Sequence, residues 1–126
     1  IAIMAQRLVR IICPKCREEY APPVESLRAL GLSAGDLPRG KVSRGRGCDH
    51  CMGTGYRGRS GIFELLHIDE EIRQLILDRI SSNIIKKKAI EKGMLTLRRD
   101  GAMKVANGVT TIEEVLRITQ EEVIEP

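Results

Sequence analysis

Four cysteines in two CxxC pairs constrain this chain more than any other feature: Cys13 with Cys16, and Cys48 with Cys51, with 31 residues between the pairs. A two-residue gap lets both sulfurs of a knuckle turn toward one point, and two such knuckles supply the tetrahedral four-sulfur shell that zinc favours. Disulfides fit poorly, since no secretory leader is visible and four cysteines in 126 residues are not the density of a disulfide scaffold. The spacing favours structural zinc held by Cys13, Cys16, Cys48 and Cys51, with an iron-sulfur site of the rubredoxin kind and a redox pair as alternatives. Four sulfurs close the coordination shell, so catalysis at the metal is not expected. His50, inside the second knuckle, is a decoy that is expected to point outward or to hydrogen-bond near the cluster, and His67 reads as an ordinary surface histidine.

The segment between and around the knuckles needs such a staple. Nine of the 12 glycines fall between positions 31 and 61, and four of the five prolines lie at or before position 38, the signature of a turn-rich region. Within it Pro22 to Leu32 predicts a short helix, with Val24, Leu27 and Leu30 on one face and Gly31 as its stop. Arg39, Lys41, Arg44 and Arg46 make a basic, glycine-interrupted loop that is either solvated or a cradle for a phosphate or an acidic partner.

Charge and aromatic content limit the function classes. Residues 1 to 60 carry 11 Lys/Arg against 5 Asp/Glu, and residues 61 to 126 carry 10 against 12. Four thiolates around a divalent ion would remove part of the basic excess, so attraction to phosphate is weaker than the total suggests. With no Trp, one Phe and two Tyr, there is no platform for stacking bases, and no nucleic-acid partner is expected. No apolar run approaches the ~20 residues of a membrane-spanning helix.

Residues 61 to 126 read as helical. Ile62 to Ile68 is a short apolar stretch fit for a strand, and Asp69 with Glu70 and Glu71 opens a helix by capping it and placing negative charge at its positive end. Further helices are predicted from Ser82 to Lys92, from Thr96 to Asn107, and after Thr111, which with Glu114 forms a capping box. Lys86 to Lys88 and Arg98 to Arg99 read as solvated faces. The fold class is α+β, mostly α: residues 1–12 as the end of a preceding core, 13–60 as a turn-rich tetracysteine zinc-binding subdomain, and 61–126 as a small helical C-terminal subdomain. The chain opens on Ile1 within an apolar and basic segment, as a piece of a longer protein would.

Five motifs in order resemble one family. AQRLVR at 5 to 10, CPKC at 13 to 16, CDHCMGTGYRGRSGIFELL at 48 to 66, LRRDG at 97 to 101 and GVTTIEEVLRIT at 108 to 119 are similar to the C-terminal part of type II secretion ATPases and of their relatives that drive type IV pilus extension. The GTGYRGRSGI form and the IEEVLRIT ending lean toward secretion. The resemblance implies a cytoplasmic homo-hexameric motor, peripheral at the bacterial inner membrane, that turns ATP hydrolysis into pseudopilus assembly and protein export. It also implies a RecA-like P-loop core carrying ATP and magnesium, and contacts with that core, with neighbouring subunits and with inner-membrane platform proteins. The metal-ligand role carries over to Cys13, Cys16, Cys48 and Cys51, and no catalytic residue carries over. A P-loop needs GxxxxGK[ST], whereas the only Gly-Lys pair here, Gly40 and Lys41, is followed by Val42. Two other classes share parts of the pattern. A nucleic-acid-binding zinc ribbon shares the four cysteines and the basic loop, and a chaperone-like zinc module shares the CxxCxGxG form of CDHCMGTG. Neither explains LRRDG or IEEVLRIT.

Overall fold

The computed structural model describes residues 1–120, so the final six positions of the expected C-terminal subdomain lie outside the described residues. Its longest elements are strands: β1 (Ala2–Ile12) and β4 (Tyr56–His67) pair antiparallel, from Ala2 opposite His67 to Arg10 opposite Arg59, with a bulge before Ile12 meets Tyr56. Between them β2 (Arg17–Tyr20) pairs with β3 (Val42–Gly45), and α1 (Val24–Ala29) and two short 3₁₀ turns fill the connection. After β4 come α2 (Glu70–Leu77), α3 (Ser82–Glu91), α4 (Leu97–Ala106) and α5 (Ile112–Ile118).

Among the described residues helix exceeds strand, as expected, but no helix there passes 10 residues while β1 and β4 have 11 and 12, a long ribbon that the sequence did not announce. The reason lies in how β4 begins. Its first half, Tyr56 to Gly61, holds two glycines and reads as turn, yet the bulge opposite Ile11 accommodates Gly58 at φ +84° and the strand runs on. On the inward face of this ribbon Val9 and Ile62 are fully buried, as period-2 alternation requires.

One core joins the parts. Leu27, Leu30, Leu32, Leu37 and Val42 from the glycine-rich segment pack with Val9 and Ile62 of the ribbon and with Leu97, Ala102, Val105, Ile112 and Val115 of α4 and α5. The expected helix starts are met by their caps: Asp69 accepts from Ile72 N–H, Thr96 from Arg99 N–H and Thr111 from Glu114 N–H. The capping box at Thr111 is only half formed, because the Glu114 carboxylate takes the backbone N–H of Arg10 at 2.8 Å.

The LRRDG motif of α4 is a docking element rather than a solvated face. Arg98 donates to the hydroxyl and carbonyl of Thr119, Arg99 to the carbonyl of Gly31, and Asp100 accepts the Phe63 N–H of β4 at 2.8 Å. Gly101 lets α4 close on α5, since a Cβ there would stand 2.5 Å from Cγ1 of the buried Val115. Gly101→Ala should therefore destabilise the chain by about 1–3 kcal/mol, the overpacking cost exceeding the roughly 1 kcal/mol gained in helix propensity. Adding Val115→Ala should recover part of the loss in a thermal-melt double-mutant cycle; additivity would show that the two positions do not collide. The lysine run also differs from expectation, for Lys88 pairs with Glu71 at 2.9 Å and Lys86 lies 3.8 Å from Glu64, tying α3 to α2 and β4.

Candidate metal centre

Each knuckle is shaped by its backbone. Cys13 follows directly from β1, and its N–H donates to the Gly55 carbonyl at 2.9 Å, so the first knuckle hangs on the loop that bears the second. Cys16 leads into β2, and Gly47, just past the end of β3, donates its N–H to the Cys16 Sγ at 3.2 Å. The second knuckle is a 3₁₀ turn, Asp49–Cys51, closed by Gly53 N–H donating to the Cys48 carbonyl at 2.8 Å, with Met52 left-handed at φ +56°. The strands bring the knuckles together through a close backbone approach: a Cβ on Gly55 would lie 2.5 Å from the Gly45 carbonyl oxygen, and one on Gly45 2.1 Å from that of Gly55. Only glycine serves at either position.

All four sequence-predicted cysteines converge. Their Sγ atoms lie within 4.8 Å of one another, with Cys13–Cys48, Cys16–Cys51 and Cys48–Cys51 each at 3.8 Å. A tetrahedron with metal–sulfur bonds of about 2.3 Å has edges of about 3.8 Å, so the cluster has the dimensions of a tetrathiolate site. No pair approaches the ~2.05 Å of a disulfide, and the four are free thiols. Cys13, Cys16 and Cys51 are buried and Cys48 is half-buried. They form a cluster of their own, separate from the main core.

The thiols are electrostatically unequal. Burial pushes Cys16 up to about 11, against the lowering pull of the Gly47 amide. At Cys51 burial acts the same way but is outweighed by the amides of Cys48 and Gly55, 3.2 and 3.1 Å from its sulfur, and by the neighbouring thiols, bringing it down to about 6. Amide donors aimed at a sulfur favour the thiolate, the form that ligates a cation. The four-cysteine cluster can hold a metal ion, and among the described residues it is the only grouping of this kind.

The histidines stand aside. His50 is exposed and takes part through its backbone carbonyl, which accepts from Arg57 at 3.1 Å; His67 is exposed at the end of β4. The basic loop is answered by β2: Arg39 pairs with Glu19 at 2.6 Å, Arg44 with Glu18 at 3.1 Å, and Arg46 lies 3.6 Å from Glu18, so three of its four cations face carboxylates instead of an open cradle.

Sequence reasoning missed the group that fastens the C-terminal helix to the ribbon. Glu114 is 1% exposed and binds the Arg10 backbone N–H at 2.8 Å, the Arg10 guanidinium at 3.1 Å and Arg117 at 3.0 Å. Arg10 also stacks 4.2 Å from the Tyr56 ring centroid, and the Tyr56 hydroxyl lies 2.6 Å from that of Thr111. The sequence signal available was Thr111-x-x-Glu114, which has a local explanation and so hides the distant one.

Comparison with known proteins gives a consistent picture. The chain is 48% identical over 121 residues to the type IV pilus assembly ATPase PilB of Thermus thermophilus, covering 96% of this chain and 14% of that protein. It is 43% identical over 122 residues to type II secretion system protein E of Pseudomonas aeruginosa, covering 97% of this chain and 24% of the relative. For the type II secretion system ATPase E of Vibrio cholerae the figures are 40% over 121 residues, 96% and 24%. The chain thus spans less than a quarter of the length of these relatives. No helix among the described residues is long and apolar enough to cross a membrane. The model of the type II/IV secretion system protein family matches residues 1–117, and the chain belongs to that family.

Proposed function

We propose that Cys13, Cys16, Cys48 and Cys51 hold one structural zinc ion, and that the chain is the C-terminal zinc-binding and helical region of a secretion motor. The observation that carries this reading is a cluster of four thiols with the edge lengths of a metal tetrathiolate, in a chain of the secretion-ATPase family. Zinc with four sulfurs has no position for water, so its contribution is to fix the knuckles. In this reading residues 1–12 end the ATPase core, 13–60 form the zinc-binding subdomain and 61–126 the C-terminal subdomain. ATP and magnesium belong to a RecA-like P-loop core elsewhere in the parent protein. That parent is a cytoplasmic hexamer, peripheral at the inner membrane and docked on platform proteins, which drives pseudopilus assembly and protein export.

Two measurements test this. Metal analysis of the reduced chain should return about one zinc per molecule, with no magnesium-dependent ATP turnover; iron, or far less than half an equivalent of zinc, would overturn the zinc assignment. In the parent, Cys48→Ser should abolish export of secreted enzymes to the medium while nucleotide binding persists, and undiminished export would overturn the motor role. The 48% identity to a pilus assembly ATPase supports a second reading, a pilus extension motor. Loss of surface pili with export intact in a deletion strain would select it.

A further inference from the structure

A short chain of contacts leads from the metal cluster to the start of α5. Thr54 Oγ1 lies 2.8 Å from the carbonyl of Cys51 and 3.0 Å from that of Tyr56, and accepts the Tyr56 N–H at 3.1 Å, which fixes Tyr56 to the end of the second knuckle. The Tyr56 hydroxyl meets Thr111 Oγ1 at 2.6 Å. Thr111 is the N-cap of α5: its hydroxyl accepts the Glu114 N–H at 3.1 Å, and it is 3% exposed. The Tyr56 ring lies under the Arg10 guanidinium, which itself binds the Glu114 carboxylate, so Tyr56 meets the first turn of α5 from two sides.

Apart from backbone hydrogen bonds and the Thr54 hydroxyl, the knuckle beside Tyr56 is held by its sulfurs. Gly47, Met52, Gly53 and Gly55 all have left-handed backbones, and the buried cluster around the sulfurs consists of the cysteines themselves. Its shape depends on the sulfurs being held at one point, which a bound cation does and four separate thiols do poorly. We propose that Tyr56 couples the metal centre to the N-cap of α5, so that metal occupancy sets how firmly the first turn of the C-terminal helix is held. The coupling rests on the reading that the four thiols bind metal. Tyr56 acts here as a positioning residue, and the element it biases is the capped or frayed first turn of α5.

The test is residue-resolved hydrogen exchange on the 126-residue chain, with zinc and after its removal by a chelator, in wild type, Tyr56→Phe and Thr54→Ala. Tyr56→Phe keeps the ring under Arg10 and removes only the hydroxyl. In wild type, zinc removal should speed exchange at the Glu114 and Val115 amides about fivefold, the equivalent of losing a cap worth about 1 kcal/mol. The Ala89 amide in α3 should not change. Both variants should exchange about fivefold faster at Glu114 and Val115 with zinc bound, and change less than twofold on its removal. Wild-type α5 rates that ignore zinc would overturn the coupling, as would an undiminished zinc effect in Tyr56→Phe or an equal rise at Ala89. Metal content distinguishes the two levels of failure: zinc bound without an α5 response sinks only the coupling, whereas a chain that binds no zinc sinks the metal reading with it.

Discussion

Cys48→Ser, or chelation of the wild type, should remove most of the stability of the two knuckles and leave α1 folded. Structural zinc supplies on the order of 10 kcal/mol in small metal-dependent domains, which makes this the largest single effect expected here. Its reach is set by where the apolar side chains go. Residues 13–16 and 45–55 pack mainly on their own sulfurs, so amide protection there should disappear. Leu27, Leu30, Leu32 and Leu37 instead enter the core shared with α4 and α5, and each buried leucine contributes roughly 1.5–3 kcal/mol independent of the metal. Hydrogen exchange should therefore show a boundary inside the glycine-rich segment, with α1 protected and the knuckles open, and only the first turn of α5 loosened among the later helices. Loss of protection at Leu27 and Leu30 equal to that at the knuckles would show that the whole segment depends on zinc. Unchanged protection at the knuckles would show that none of it does.

The same division explains what the sequence disclosed. The CxxC spacing is a local pattern whose chemistry has few solutions, and all four sulfurs meet as it requires. Caps are also local, and Asp69, Thr96 and Thr111 each hold the N–H three residues on. What stayed hidden was set by partners far along the chain. β1 finds its ladder far along the chain, from Ile12 opposite Tyr56 to Ala2 opposite His67, on a strand whose opening glycines resemble a turn. The arginines of LRRDG bear the marks of a solvated face until Thr119 and the Gly31 carbonyl are brought to them. The aliphatic residues of the glycine-rich segment are too sparse to announce a core, because the core they join lies in the second half.

Glu114→Gln should produce a second large loss, and its pH dependence should identify the cause. The side chain joins elements 104 residues apart, accepting from the Arg10 backbone and guanidinium and from Arg117. Burial alone would raise its carboxyl; the hydrogen bonds from Arg10, then that from Arg117, outweigh burial and hold it below the usual carboxylate range. A carboxyl whose folded pKa lies below its unfolded value contributes stability that is fully present above the unfolded value, about 4.3, and is lost as pH falls through the folded one. Wild type should accordingly lose stability in acid below about pH 4.3 relative to Glu114→Gln, which has no charge to lose there. At neutral pH the variant should be about 2 kcal/mol less stable. This falls between the cost of breaking a fully buried pair and that of an exposed one, because Arg10 is 46% exposed while Glu114 is 1%. Glu114→Ala should cost more, since it also leaves the Arg10 N–H without its acceptor. Denaturant unfolding of wild type and Glu114→Gln at a series of pH values reads both quantities. A difference between them that stays constant from about pH 3 to pH 6 would mean that packing, rather than the charge on Glu114, holds α5 to β1.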